Sequence, residues 1–172
     1  GQGGCESAVS CPIKAPYGSH AAPTSLGSGG GLPTFSQGTS GGGALILNVT
    51  GILTLDGKIA ADGENNAGNY GAGSGGSVFL TVGSLVGGGT VTANGGYTAS
   101  ATYASGSGGR VAVIGSTTTF TGVLQAFAAN DGNQSGGAGT VFVRTPGMNG
   151  NLVVDAGNIA STPLRSAQIA VG

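Results

Sequence analysis

The hydrophobic and polar positions of this chain follow a six-residue stencil that occurs four times, each copy directly after a glycine. It reads Ala44-Leu45-Ile46-Leu47-Asn48-Val49, Ser77-Val78-Phe79-Leu80-Thr81-Val82, Arg110-Val111-Ala112-Val113-Ile114-Gly115 and Thr140-Val141-Phe142-Val143-Arg144-Thr145. The copies start 33, 33 and 30 residues apart. Successive strand residues point to opposite faces, so the alternation sorts each copy in two. One face is aliphatic: Leu45, Leu47 and Val49, then Val78, Leu80 and Val82, then Val111 and Val113, then Val141 and Val143. The other is mixed, with Ser77, Thr81, Arg110, Thr140 and Arg144 beside Ile46, Phe79 and Phe142.

A second strand follows in each copy, opened by Gly57, Gly89, Gly122 or Gly150. Ile59, Val91, Leu124 and Leu152 form one inner column, and Ala61, Ala93, Ala126 and Val154 another, two residues on, as strand periodicity requires. Asp62-Gly63, Asn94-Gly95 and Asp155-Ala156-Gly157 read as the turns that close these strands. Between copies lie stretches of Gly, Asn, Ser and Ala, such as 64–75 and 97–108. Their side chains are too small for a core, which predicts close backbone turns on the outside.

No apolar stripe at helical spacing survives. A fixed period in this range marks a stacked repeat. Like residues at equal offsets predict an all-β parallel β-helix (β-solenoid) of about four coils with Gly-rich loops, with repeats 44–76, 77–109, 110–139 and 140–172. Residues 1–43 then form an N-terminal Gly-rich capping or linking segment. The competing fold is an antiparallel β-sandwich, for which Leu55-Asp56-Gly57-Lys58-Ile59 and 86–90 offer hairpins.

Composition sharpens this reading. Of 172 residues 39 are Gly, without the Gly-X-Y period of collagen, and only 6% are charged. The dense Val, Ile, Leu and Thr runs separate the chain from disordered sequences, which are poor in them. A net charge of −1 supplies no field for nucleic acid and little repulsion between copies. No apolar run approaches the length of a membrane span. The chain opens without Met or a leader, as a mature secreted protein or a segment of a longer one does. Cys5 and Cys11 are spaced for a small local disulfide, worth roughly 2 to 3 kcal/mol by loop entropy. That pairing implies an oxidising extracellular setting; the alternative is two free thiols in a reducing one.

The ordered series of motifs resembles the glycine-rich β-helix modules of very large secreted and cell-surface proteins. The residues that carry it include Tyr17-Gly18-Ser19, Leu26-Gly27-Ser28-Gly29-Gly30-Gly31, Gly75-Gly76-Ser77-Val78-Phe79-Leu80-Thr81 and Gly89-Thr90-Val91-Thr92-Ala93-Asn94-Gly95-Gly96. Gly106-Ser107-Gly108-Gly109-Arg110-Val111-Ala112-Val113 and Gly137-Ala138-Gly139-Thr140-Val141-Phe142-Val143 complete it. The Cys5–Cys11 loop and the irregular last copy, with Pro146 and Met148, depart from the pattern. The resemblance implies surface location and structural or adhesive use.

Chemistry is sparse. The acids are Glu6, Asp56, Asp62, Glu64, Asp131 and Asp155. Asp62 and Asp155 fall at equivalent turns, with Asn94 between, which reads as turn chemistry and only secondarily as the paired carboxylates of a glycosidase or lyase. His20 has no evident partner base or nucleophile, and two Cys with one His make too thin a set for metal. No enzyme activity, metal or cofactor is expected. Asn48-Val49-Thr50 and Asn133-Gln134-Ser135 are sequons, so Asn48 and Asn133 are candidate glycan attachment points. Phe79 and Phe142 on the mixed face, with Tyr97 and Tyr103 in loops, are candidate surface contacts for sugar or protein.

The sequence therefore predicts a non-enzymatic structural subunit of an extracellular filament or surface fibre. Copies would join head to tail through open solenoid ends and strand addition. The apolar tail Ala167-Gln168-Ile169-Ala170-Val171-Gly172 would add to the next copy, with Ile169 and Val171 as assembly contacts. The alternative is an adhesin or carbohydrate-binding module in a larger cell-surface stalk, with a surface polysaccharide or glycan as partner.

Overall fold

The computed structural model describes residues 17–31, 38–68, 70–99, 102–130 and 135–157, and the backbone of 166–171. Among the described residues the ordered elements are strands: β1 (Ala44–Thr54), β2 (Lys58–Ala60), β3 (Ser77–Val86), β4 (Thr90–Thr92), β5 (Arg110–Ser116), β6 (Val123–Gln125), β7 (Gly139–Arg144), β8 (Gly150–Asp155) and β9 (Ser166–Val171). They form a six-stranded sheet, β1-β3-β5-β7-β8-β9, and a three-stranded sheet, β2-β4-β6.

The stencil sets the register of β1, β3, β5 and β7 in the larger sheet. Leu45, Leu47 and Val49 pair in parallel with Val78, Leu80 and Val82. Val78 and Leu80 pair with Val111 and Val113, which pair with Val141 and Val143. In the smaller sheet Ile59, Val91 and Leu124 stand in one row. These rows make the core: Val78, Leu80, Val91, Val111 and Val113 are fully buried, with Leu47, Val49, Ile59, Leu124, Val141 and Val143 packed around them. Each such side chain contributes roughly 1.5 to 3 kcal/mol when fully buried. The register slips by one residue between Val49 and Ile52 and again between Thr81 and Ser84. The chain thus bends at Gly51 and Gly83, and Leu53 and Leu85 continue on the core side.

The glycine-rich stretches are interior rather than outer turns. Residues 71–76 and 105–109 are all buried. They run as extended segments that hydrogen-bond to segments of other repeats: Gly42 N to Ser74 O, Gly75 N to Ser107 O, Gly96 N to Gly73 O and Gly108 N to Gly137 O, all at 2.8–2.9 Å. A Cβ added at Gly42, Gly75 or Gly108 falls 2.0–2.1 Å from the carbonyl oxygen of Ala61, Ala93 or Ala126. None of these three glycines has a positive φ. Glycine is needed there for backbone-to-backbone distance, not for conformational freedom. A second core is therefore built from main chain, hydrogen-bonded from repeat to repeat as buried amides require.

The parallel β-helix of four coils is corrected by the last repeat. Gly150–Asp155 does not extend the β2-β4-β6 sheet. It folds back antiparallel on β7, placing Leu152 opposite Phe142 and Val154 opposite Thr140. β9 then runs antiparallel to β8. The cause is local. Thr145-Pro146-Gly147-Met148 closes with Met148 N donating to Thr145 O at 3.0 Å, and Gly147 has φ 81°. Pro at the second position and a left-handed Gly at the third define a type II turn, which reverses the chain. The protein is a mixed-sheet all-β fold. Leu152 and Val154 leave their expected columns, and a cavity of about 140 Å³ lies between β6 and β8, lined by Leu124, Phe127, Val141 and Val153 among others.

The described part of the N-terminal segment does two things. Its residues 27–31 and 39–42 pair with the glycine-rich segment 64–74, as in Ser74 N to Ser28 O and Gly71 N to Gly31 O, and its residues 17–25 cross the mixed face as a strap. His20 lies edge-on to Phe142 on β7 with ring centroids 5.4 Å apart, Tyr17 meets Arg110 on β5, and Ser25 O accepts from Ser77 Oγ on β3 at 2.6 Å.

Candidate functional site

Two places could carry function: a cleft under the strap and the outer edge of β1. The cleft starts from the first mixed-face residue of β5. Arg110 is 7% exposed. Its Nη1 donates to Tyr17 O at 2.5 Å, and its Cζ lies 5.2 Å from the centre of the Tyr17 ring. Tyr17 is held in turn by its hydroxyl, which donates to Leu26 O at 3.0 Å and lies 2.9 Å from Ser28 Oγ. Nε and Nη2 of Arg110 are buried without partners among the described residues. So is Oγ1 of Thr140, which stands opposite Arg110 in the β5–β7 register. Among the described residues the ion pair is Lys58–Asp62, and no acid meets Arg110. Among the described residues Arg110 thus has no counterion, and a buried charge without one costs several kcal/mol. A cleft of about 260 Å³ adjoins it, lined by Tyr17, Gly18, His20, Gly108, Gly109, Ala138, Gly139, Thr140 and Leu152.

The edge is simpler. β1 is terminal in the six-stranded sheet. Its sequence, ALILNVTGILT, carries no charge and no proline. Ile46 and Ile52 are 59% and 68% exposed. Such an edge is a template for another strand.

The remaining candidates scatter. Asn48 is exposed on β1. Phe142 and Tyr103 are buried; Phe142 lies under His20 and against Gly150, whose added Cβ would fall 2.4 Å from the ring. Phe79 is half-buried and Tyr97 exposed, so the four aromatics do not make one surface strip. In β9, Ile169 pairs with Leu152 and Val171 with Gly150, within the same chain. Cys5, Cys11 and Asn133 lie outside the described residues.

The described acids are bound into the fold, while Glu6 and Asp131 lie outside the described residues. Asp62 accepts from Lys58 Nζ, Thr92 Oγ1 and Asn94 N, Asp56 accepts from Gly88 N, Glu64 from Ser40 N, and Asp155 from Gly157 N. Among the described residues no three His, Cys, Asp or Glu side chains gather as for a metal ion, and no helix is long and apolar enough to cross a membrane.

Sequence reasoning missed the Arg110 cleft. Its signal was a lone arginine heading a column otherwise made of Ala44, Ser77 and Thr140, with no acid at the neighbouring offsets. Comparison with family models, curated proteins and solved structures finds no match for this chain.

Proposed function

We propose that the protein is a non-enzymatic structural subunit of an extracellular filament or surface fibre, whose copies join head to tail along the edges of the six-stranded sheet. The observation that carries this is strand direction. β8 runs against β7 and β9 against β8, so β9 regains the direction of β1. A second copy placed at the end of the sheet brings its β1 beside β9 in parallel, the pairing β1 already makes with β3. The two faces of such a contact differ, so it is heterologous, passes from copy to copy, and produces an open array wherever the rotation between copies does not close a ring. Neither strand bears a charged residue or proline that would discourage pairing. The extracellular setting rests on the sequence: the Cys5–Cys11 spacing and the resemblance to surface repeat modules.

The test is light scattering and negative-stain microscopy of the full chain beside a chain ending at residue 165. The expected result is fibres from the full chain, with six strands per subunit at about 4.8 Å giving an axial repeat of about 29 Å, and none from the shortened one. A full chain that stays monomeric at high concentration overturns the reading.

The second reading, a glycan-binding module of a surface stalk, is favoured by the cleft beside Arg110. The two are compatible, because the cleft lies on a sheet face and joining uses the edges.

A further inference from the structure

The guanidinium of Arg110 has its Nη1 side occupied by Tyr17 O and its other side vacant of partners. Nε–H and Nη2–H lie side by side and form a fork matched to the two oxygens of a carboxylate. Thr140, opposite Arg110 in register and lining the same cleft, adds a buried hydroxyl that also has no partner among the described residues. Among the described residues no second Lys or Arg lines the cleft, and the fixed cation of Arg110 matches one negative charge. That favours a carboxylate over a phosphate monoester, which carries nearly two. The rest of the cleft is ring and backbone: the Tyr17 and His20 side chains on one wall, glycine main chain on another. Flat rings beside a few fixed polar groups suit a pyranose, whose C–H faces stack on aromatic surfaces.

We propose that this cleft binds the carboxylate of an acidic sugar, a hexuronate unit of a polysaccharide. Arg110 grips the carboxylate, Thr140 hydrogen-bonds to it, and the Tyr17–His20 turn covers the ring. Gly18 lies over the fork: a Cβ added there would come within 3.4 Å of Nη2. The turn must move outward by about a side chain's width for the fork to be reached. Residues 17–20 are all exposed, and the movement gives up the Arg110–Tyr17 O hydrogen bond and the His20–Phe142 contact, which the bound carboxylate must outweigh. The inference does not depend on filament formation.

The test uses the full chain with D-glucuronate, D-glucose, L-glutamate and acetate, read by calorimetry and by thermal shift. D-glucuronate should bind in the millimolar range, about tenfold tighter than acetate or L-glutamate, and raise the melting temperature, while D-glucose does neither. Arg110→Met should abolish that binding and melt no lower than the parent chain without ligand. A merely structural arginine gives the opposite, a lower melting temperature. Thr140→Val should weaken D-glucuronate binding by about threefold to tenfold with the melting temperature of the free chain unchanged. D-glucuronate binding no better than D-glucose or acetate overturns the proposal, as does tighter binding of L-glutamate, which would make the ligand an acidic protein segment. If Arg110→Met does not fold, undiminished affinity in Thr140→Val overturns it alone.

Discussion

The carboxylate of Asp62 accepts the backbone N–H of Asn94 at 2.7 Å. Asn94 repeats the act one repeat later, its Oδ1 accepting the N–H of Phe127 at 2.8 Å. A side-chain oxygen of each repeat thus satisfies a main-chain donor of the next, at the corner where the smaller sheet ends. Asp62→Ala leaves the Asn94 N–H and the buried Thr92 hydroxyl without their acceptor. The expected loss is about 1 to 3 kcal/mol in denaturant unfolding. Asp62→Asn keeps an oxygen for Asn94 and should cost less than half as much. Lys58→Ala should cost at most about 0.5 kcal/mol, because the Lys58–Asp62 pair is an exposed one.

Glycine at two kinds of position should respond oppositely to the same substitution. At Gly75 an added methyl meets Ala93 O at 2.1 Å and Gly109 N at 2.6 Å, both main chain. Gly75→Ala must push the packed segments apart, and a loss of about 3 kcal/mol or more is expected. At Gly57 an added methyl meets nothing within 4 Å, and φ is not positive. Gly57→Ala should raise stability by about 0.4 to 1 kcal/mol, through the unfolded chain alone. Paired melting curves check both. Equal effects at the two sites would mean that the glycine segments do not pack as described.

The aliphatic rows were legible because one rule produces them: a strand buried on one face repeats every second residue, and stacked strands repeat at the copy length. Leu47, Leu80 and Val113 sit in one row for that reason. The burial of the glycine stretches was hidden because hydrophobic pattern says nothing about main chain packing on main chain. The equal spacing of Gly42, Gly75 and Gly108 was the available sign. The reversal at β8 was misread because Leu152 and Val154 match the inner columns, yet five residues with Pro146-Gly147 decide direction before the columns can act. The Arg110 cleft depends on Tyr17, 93 residues away, and no local pattern links the two.

The reversing turn can be weakened without touching any contact. Gly147 has φ 81°, and a Cβ there meets nothing within 4 Å. Gly147→Ala therefore carries only the backbone cost of a left-handed alanine, about 1 to 2 kcal/mol. The loss should be local. Hydrogen exchange should quicken in β8 and β9 and stay unchanged in β3, whose neighbours are both parallel strands of the main stack. Uniform quickening across the sheet would show that β8 and β9 fold as one unit with the rest.

The edge of β1 gives the sharpest test of assembly, because its exposed side chains can change with little effect on the monomer. Ile46 and Ile52 are more than half exposed, so Ile46→Lys with Ile52→Lys should alter unfolding free energy by about 0.5 kcal/mol or less for each change. Lysine on an edge strand repels a second strand by charge and by the cost of drying its ammonium. The double variant should remain monomeric at concentrations where the parent chain scatters as a multimer, and added salt should restore little, since the desolvation cost persists. Met148→Lys is the matched control: Met148 is equally exposed but sits in the β7–β8 turn, away from both sheet edges. It should assemble like the parent. If the double variant assembles as readily as that control, copies do not meet at β1.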